Sequence, residues 1–105
     1  MDHRIAVAAL SALAQDTRLA LFRLLVARGP EGHPAGVIAE RLAVPASSLS
    51  FHLAQLSHAG LIRQRRQGRS LIYSADAAAM TALLAYLAEN CCAAGAAPPG
   101  RDGRD

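Results

Sequence analysis

Residues 47–73 read SSLSFHLAQLSHAGLIRQRRQGRSLIY, and the spacing of the apolar side chains changes partway along. At about 100° per residue, Leu49, Leu53 and Leu56 fall on one side of a helix and must face a core. The other side carries Ser47, Phe51, Ala54, Gln55 and His58, with Ser50 and His52 on its flanks. Ser47 is placed to cap this helix, and Gly60 suits a left-handed stop at its end. Beyond it the period drops to two. Leu61 to Arg66 and Ser70 to Ser74 read as short strands joined by Gln67-Gly68-Arg69, a hairpin with glycine at its tip.

Moving upstream, Val44-Pro45 is a turn, and Pro34 opens a short helix that runs to about Leu42. Glu31 to His33 is a loop. Asp16 caps a longer helix with Leu19, Phe22, Leu25 and Val26 on one stripe, which stops at Arg28-Gly29-Pro30. Asp2 to Ala14 is helical and apolar on nearly all sides, so more than one partner must cover it. Downstream, Asp76 caps a last helix whose stripe is Met80, Leu83, Leu84, Leu87 and Cys91. Residues 93–105 are Ala, Gly, Pro and charge, and read as a disordered tail. Two helices joined by a tight turn and followed by a basic hairpin make a helix-turn-helix with a wing. The expected fold is mostly α with a small β-hairpin: a winged helix-turn-helix of about five helices and a two-stranded wing over residues 1–92.

The chain has 105 residues, of which 52% are apolar and only Phe22, Phe51, Tyr73 and Tyr86 aromatic. One domain of this size has a modest core, and such domains often gain stability by pairing. The formal charge is +3, with 11 arginines and no lysine, which favours a polyanionic partner. Arg63, Arg65, Arg66 and Arg69 crowd into seven positions. Such a run also describes an ordinary solvated face. Next to a helix presenting Ser47, Ser48, Ser50, Phe51, His52 and Gln55, it reads instead as a nucleic-acid surface. Hydroxyl and amide groups bond phosphates or base edges, an aromatic ring touches a thymine methyl, and arginines on a hairpin reach phosphates or a minor groove.

Other classes fit poorly. No apolar run spans a membrane. Ile5 to Ala14 mimics a signal sequence but flows into the helical domain, so it is read as a helix in a cytoplasmic protein. No catalytic triad, phosphate loop, zinc-protease or dinucleotide motif is present, and the expectation is a non-enzyme without a catalytic cofactor.

Three segments carry a family resemblance: Leu13-Ala14-Gln15-Asp16-Thr17-Arg18-Leu19, Ser48-Leu49-Ser50-Phe51-His52-Leu53-Ala54-Gln55-Leu56 and Ala59-Gly60-Leu61-Ile62. Together they resemble ArsR/SmtB-type transcriptional repressors, over roughly Ile5 to Cys92. The resemblance implies a homodimer built on the first and last helices. It also implies one reading helix per half-site of an operator, an imperfect palindrome upstream of its own operon, and release when an inducer binds. Two inducer sites common in that family are missing here. The third helix holds no Cys-x-Cys pair, and Asp76 to Asn90 holds no histidine for a zinc site.

What remains is Cys91-Cys92, an arrangement similar to that of some arsenic-responsive members, though with no third cysteine. Trivalent inorganic arsenic prefers three thiolates, whereas a methyl- or phenyl-arsenic(III) species needs two. The favoured inducer is therefore a trivalent organoarsenical, with arsenite a weaker or thiol-assisted ligand. Copper(I) and mercury(II) suit two thiolates as well. Two small buried hydrophobes, or thiols open to oxidation, are the competing readings. His3 and His33 are expected to be solvated.

Overall fold

The structure is a computed structural model and describes residues 1–89. The elements run α1 (His3–Leu13), α2 (Asp16–Arg28), a 3-10 turn (Gly29–Glu31), β1 (His33–Pro34), α3 (Ala35–Leu42), α4 (Ala46–His58), β2 (Ile62–Gln67), β3 (Ser70–Ala75) and α5 (Ala77–Ala88). This is the expected winged helix-turn-helix, with one addition. The sheet has three strands in the order β1-β3-β2, because His33 pairs with Tyr73 and Pro34 with Ile72. What read as the end of a loop is thus an edge strand. Gly32 makes it possible: its φ is 67°, and a Cβ there would collide with the Tyr73 carbonyl.

Aliphatic side chains from every helix converge on one core. Leu21, Leu25, Ile38, Leu49, Leu56 and Leu61 are essentially inaccessible, each burial contributing about 1.5–3 kcal/mol before entropy is counted. α1 contributes only alanines to it, Ala6, Ala9 and Ala12, so that helix lies close against its neighbours. Leu49, Leu53 and Leu56 face inward as their spacing requires.

The helix ends differ from the expected caps. Gln15, not Asp16, precedes α2, and its side chain accepts from the Arg18 N–H at 2.8 Å. Pro34 precedes α3 instead of opening it. Pro45 precedes α4, which has no side-chain cap, so Ser47 lies one residue inside the helix. Ala43 takes the left-handed conformation between α3 and α4, with φ 55°, where its N–H and that of Val44 close α3 on Ala39 and Glu40 carbonyls. Asp76 does cap α5, accepting from Ala79 N–H at 3.0 Å. α5 ends at Ala88 with Glu89 already extended, so its described stripe stops at Leu87. Cys91, Cys92 and residues 93–105 lie outside the described residues.

His33 is not solvated. It is 7% exposed, and burial, then Arg28 and Arg41 nearby, hold its pKa below the ordinary histidine value. His3 is exposed as expected, and its Nδ1 hydrogen-bonds Tyr86 Oη at 2.9 Å, joining α1 to α5. Among the described residues no single helix is long and apolar enough to cross a membrane.

Candidate nucleic-acid interface

The outer face of α4 follows from its inner one. With Leu49, Leu53 and Leu56 in the core, Ser47, Ser50 and Phe51 are left exposed, and Ser48, His52 and Gln55 sit half-buried at the margins. Phe51 is 58% exposed, although burying a side chain of its size is worth a few kcal/mol. No acidic residue lies on α4. Its first backbone N–H groups have no side-chain cap, which leaves them open to an anion such as a phosphate oxygen.

The wing stands beside this helix. β2 and β3 pair in register from Ile62–Ala75 to Gln67–Ser70, and Gly68, at φ 62°, turns the chain between them. Alternation along a strand then divides the basic residues. Gln64 and Arg66 share the face of Ile62, which packs toward α4, while Arg63 and Arg65 lie on the opposite face. Arg69 is at the tip. The four arginines crowded in sequence therefore do not form one patch.

Arg65 in particular is occupied. Its guanidinium donates to the carbonyls of Pro30 and Glu31 at 3.3 and 3.1 Å and to Gln67 Oε1 at 3.1 Å. Arg28 ties the same turn from the other side, donating to Gly32 O at 3.0 Å and pairing with Glu31 at 3.1 Å. Arg65 thus anchors the wing to the Gly29–Gly32 turn. Expected as a phosphate ligand, it makes three contacts within the chain, two of them to backbone carbonyls.

Between α4 and the wing lies an open cleft of about 490 Å³, bordered by Ser50, Ser57, His58, Gln64 and Tyr73. Gln64, Ser57 and Tyr73 were not singled out from sequence. The signal for Gln64 was available, since strand parity puts it on the side of Ile62.

His52 also has a partner within the chain. Its Nδ1 accepts from an Arg18 Nη1 at 3.1 Å, and burial, then Arg18, lowers its pKa. Arg18 lies 6.0 Å from the centroid of the Phe51 ring, within cation–π range. Among the described residues no three His, Cys, Asp or Glu side chains gather as a metal site.

This geometry suits a duplex. A helix with hydroxyls and one aromatic enters a major groove, and a basic hairpin reaches along the backbone beside it. Comparison with known proteins agrees. A helix-turn-helix domain model matches residues 13–65. The chain is 32% identical over 88 residues to the nodulation protein NolR of Rhizobium meliloti, covering 84% of this chain and 70% of NolR. An ArsR-like transcriptional regulator from Rhodococcus sp. RHA1 superposes with a TM-score of 0.74 at 26% identity, over 89% of this chain and 84% of that one. A homodimeric winged helix-turn-helix DNA-binding domain from Mycobacterium bovis shares the fold, with a TM-score of 0.64 at 23% identity, over 84% of this chain and 86% of that one. With its helix-turn-helix, three-stranded wing and flanking helices in this order, the chain belongs to the ArsR family of winged-helix transcriptional regulators.

Proposed function

We propose that the chain is a dimeric, cytoplasmic repressor that holds operator DNA through two α4 helices and releases it when a thiol-seeking ligand bridges Cys91 and Cys92. The uncovered face of α4, with Phe51 among hydroxyls beside a basic wing, carries the DNA part of this reading. Pairing is supported by exposed aliphatic side chains on the two flanking helices. Ile5, Val7 and Leu10 on α1, and Leu84 and Leu87 on α5, are all at least 41% exposed, on two helices that touch. The Mycobacterium bovis relative of this fold is described as a homodimer. Two copies in two-fold symmetry match a palindromic operator with half-sites one helical turn apart.

The inducer follows from thiol chemistry. Two adjacent cysteines offer two soft donors, which fits a trivalent arsenic already carrying a methyl or phenyl group, with arsenite needing a further thiol. Copper(I), mercury(II) and oxidation are the alternatives the same pair allows. A disulfide within the pair is strained, because neighbouring Cα atoms are about 3.8 Å apart and bridged ones usually farther. Neighbouring helical side chains point about 100° apart, so a bridging ligand demands a non-helical arrangement of the two residues. That arrangement follows the pairing helix directly, where a ligand can change the spacing of the two α4 helices.

The test is binding to a duplex from upstream of the chain's own gene, followed by release with arsenite, methylarsenite, phenylarsenite, antimonite, zinc, copper(I) and mercury(II). The wild type releases the duplex with organoarsenicals at the lowest concentration, and Cys91→Ser and Cys92→Ser do not respond. Full response by both variants removes the thiol assignment and leaves the repressor reading standing. Absence of saturable binding removes both.

A further inference from the structure

Arg18 departs from what its position favours. It stands in the first turn of α2, at the positive end of the helix dipole, where a cation is disfavoured. Its guanidinium is compensated by tertiary contacts: Nε donates to Ala12 O, at the end of α1, at 2.7 Å, and Nη1 donates to His52 Nδ1 at 3.1 Å. The guanidinium carbon lies 6.0 Å from the centre of the Phe51 ring, and Phe51 meets His52 edge to face at 5.7 Å. One side chain therefore connects the end of α1, the start of α2 and two adjacent residues at the reading face of α4.

We infer that Arg18 is a positioning residue for DNA reading, which fixes the orientation of Phe51 and the tautomer of His52. The inference rests on α4 being the helix that meets DNA. An arginine only donates, so Nδ1 of His52 must be the unprotonated acceptor, and the single ring proton of the neutral imidazole is on Nε2. His52 then offers one donor to an acceptor on a base edge or phosphate. A lysine does not replace this arrangement: its ammonium is one point, whereas the planar fork of Arg18 reaches a carbonyl and an imidazole in different directions.

The test combines DNA titration with nuclear magnetic resonance of the histidine ring nitrogens. Affinity is measured for the promoter duplex that the wild type binds and for a random duplex of equal length. Arg18→Ala should weaken promoter binding about tenfold and change random binding by less than about twofold. Arg18→Lys should not restore it. In the wild type the His52 nitrogens should report Nδ1 without a proton, and in Arg18→Ala the tautomers should mix and the ring should titrate at higher pH. An equal loss on both duplexes makes Arg18 a phosphate ligand and overturns the inference, as do unchanged promoter binding and full rescue by lysine. If Arg18→Ala does not fold, the wild-type spectrum decides, and a proton on Nδ1 overturns the inference. A wild type that fails to tell the two duplexes apart overturns both this inference and the DNA reading beneath it. Normal wild-type discrimination with an indifferent Arg18→Ala removes this inference alone.

Discussion

Phe51 on α4 and Leu84 on α5 are almost equally exposed, at 58% and 59%, but they stand in opposite company. Around Phe51 are serines, a glutamine, His52 and the guanidinium of Arg18. Around Leu84 are Leu87, Met80, alanines and, across on α2, Leu19, Phe22 and Val26. A single aromatic among hydrogen-bonding groups serves a groove lined with methyls and polar edges, where direction matters. A field of aliphatic residues offers area without direction, which is how a homodimer interface is built. Apolar exposure alone therefore does not identify a partner. The polarity of the surroundings does.

Charge placed in the aliphatic field should have the largest effect. Leu84→Glu with Leu87→Glu should give a monomer by sedimentation and lower promoter affinity at least about 100-fold, because the avidity of two linked half-site contacts is lost. A variant that stays dimeric and binds normally would move the pairing surface elsewhere. On the other face, Phe51→Ala should weaken promoter binding about tenfold with random binding nearly unchanged. Equal loss on both duplexes would make Phe51 a packing residue.

The wing arginines divide more finely. Arg66→Ala and Arg69→Ala should weaken promoter and random DNA alike, by several-fold, each lowering the salt slope by about one. Arg65→Ala should change DNA affinity less. It should instead lower thermal stability, by up to about 1 kcal/mol, through loss of exposed charged hydrogen bonds to the Pro30–Glu31 turn. If Arg65→Ala behaves like Arg69→Ala in the salt series, its crossing to the turn is not its role in the complex.

The smallest effect concerns the inside of the molecule, remote from both faces. His33 titrates below the ordinary histidine value in the fold, because burial and then Arg28 and Arg41 disfavour its charge. Between the folded value and the unfolded one, the unfolded chain binds more protons. Stability is therefore complete above about pH 6.5 and declines as pH falls through that value. His52 shifts in the same direction. Melting followed from about pH 7 to about pH 5 should show a shallower decline for His33→Gln than for the wild type. Parallel curves would show that the buried imidazole contributes nothing to the slope.

What is legible in the sequence is what repeats. The spacing of Leu49, Leu53 and Leu56 located both faces of α4, and the switch to period two with Gly68 located the wing. β1 escaped because two residues carry no period, and its pairing depends on Gly32 passing close to Tyr73. Ser47 was misplaced because helix-cap preferences are local and Val44-Pro45 had already fixed where α4 begins. Arg65 looked like its neighbours in sequence, and only strand parity and the nearby turn carbonyls set it apart. Arg18 carries a signal of its own: a cation in the first turn of a helix needs a partner from elsewhere. His33, taken as a loop residue, is buried because the edge strand it occupies is covered.

Under the proposed function, two copies of one reading helix, held apart by an aliphatic pairing surface, meet one duplex together. Sedimentation of the protein with a labelled promoter duplex tests this most directly. The expected result is a complex of two chains per duplex, formed in one cooperative step and absent with Leu84→Glu/Leu87→Glu. A saturated complex holding one chain, or one that the double variant forms equally well, would contradict it.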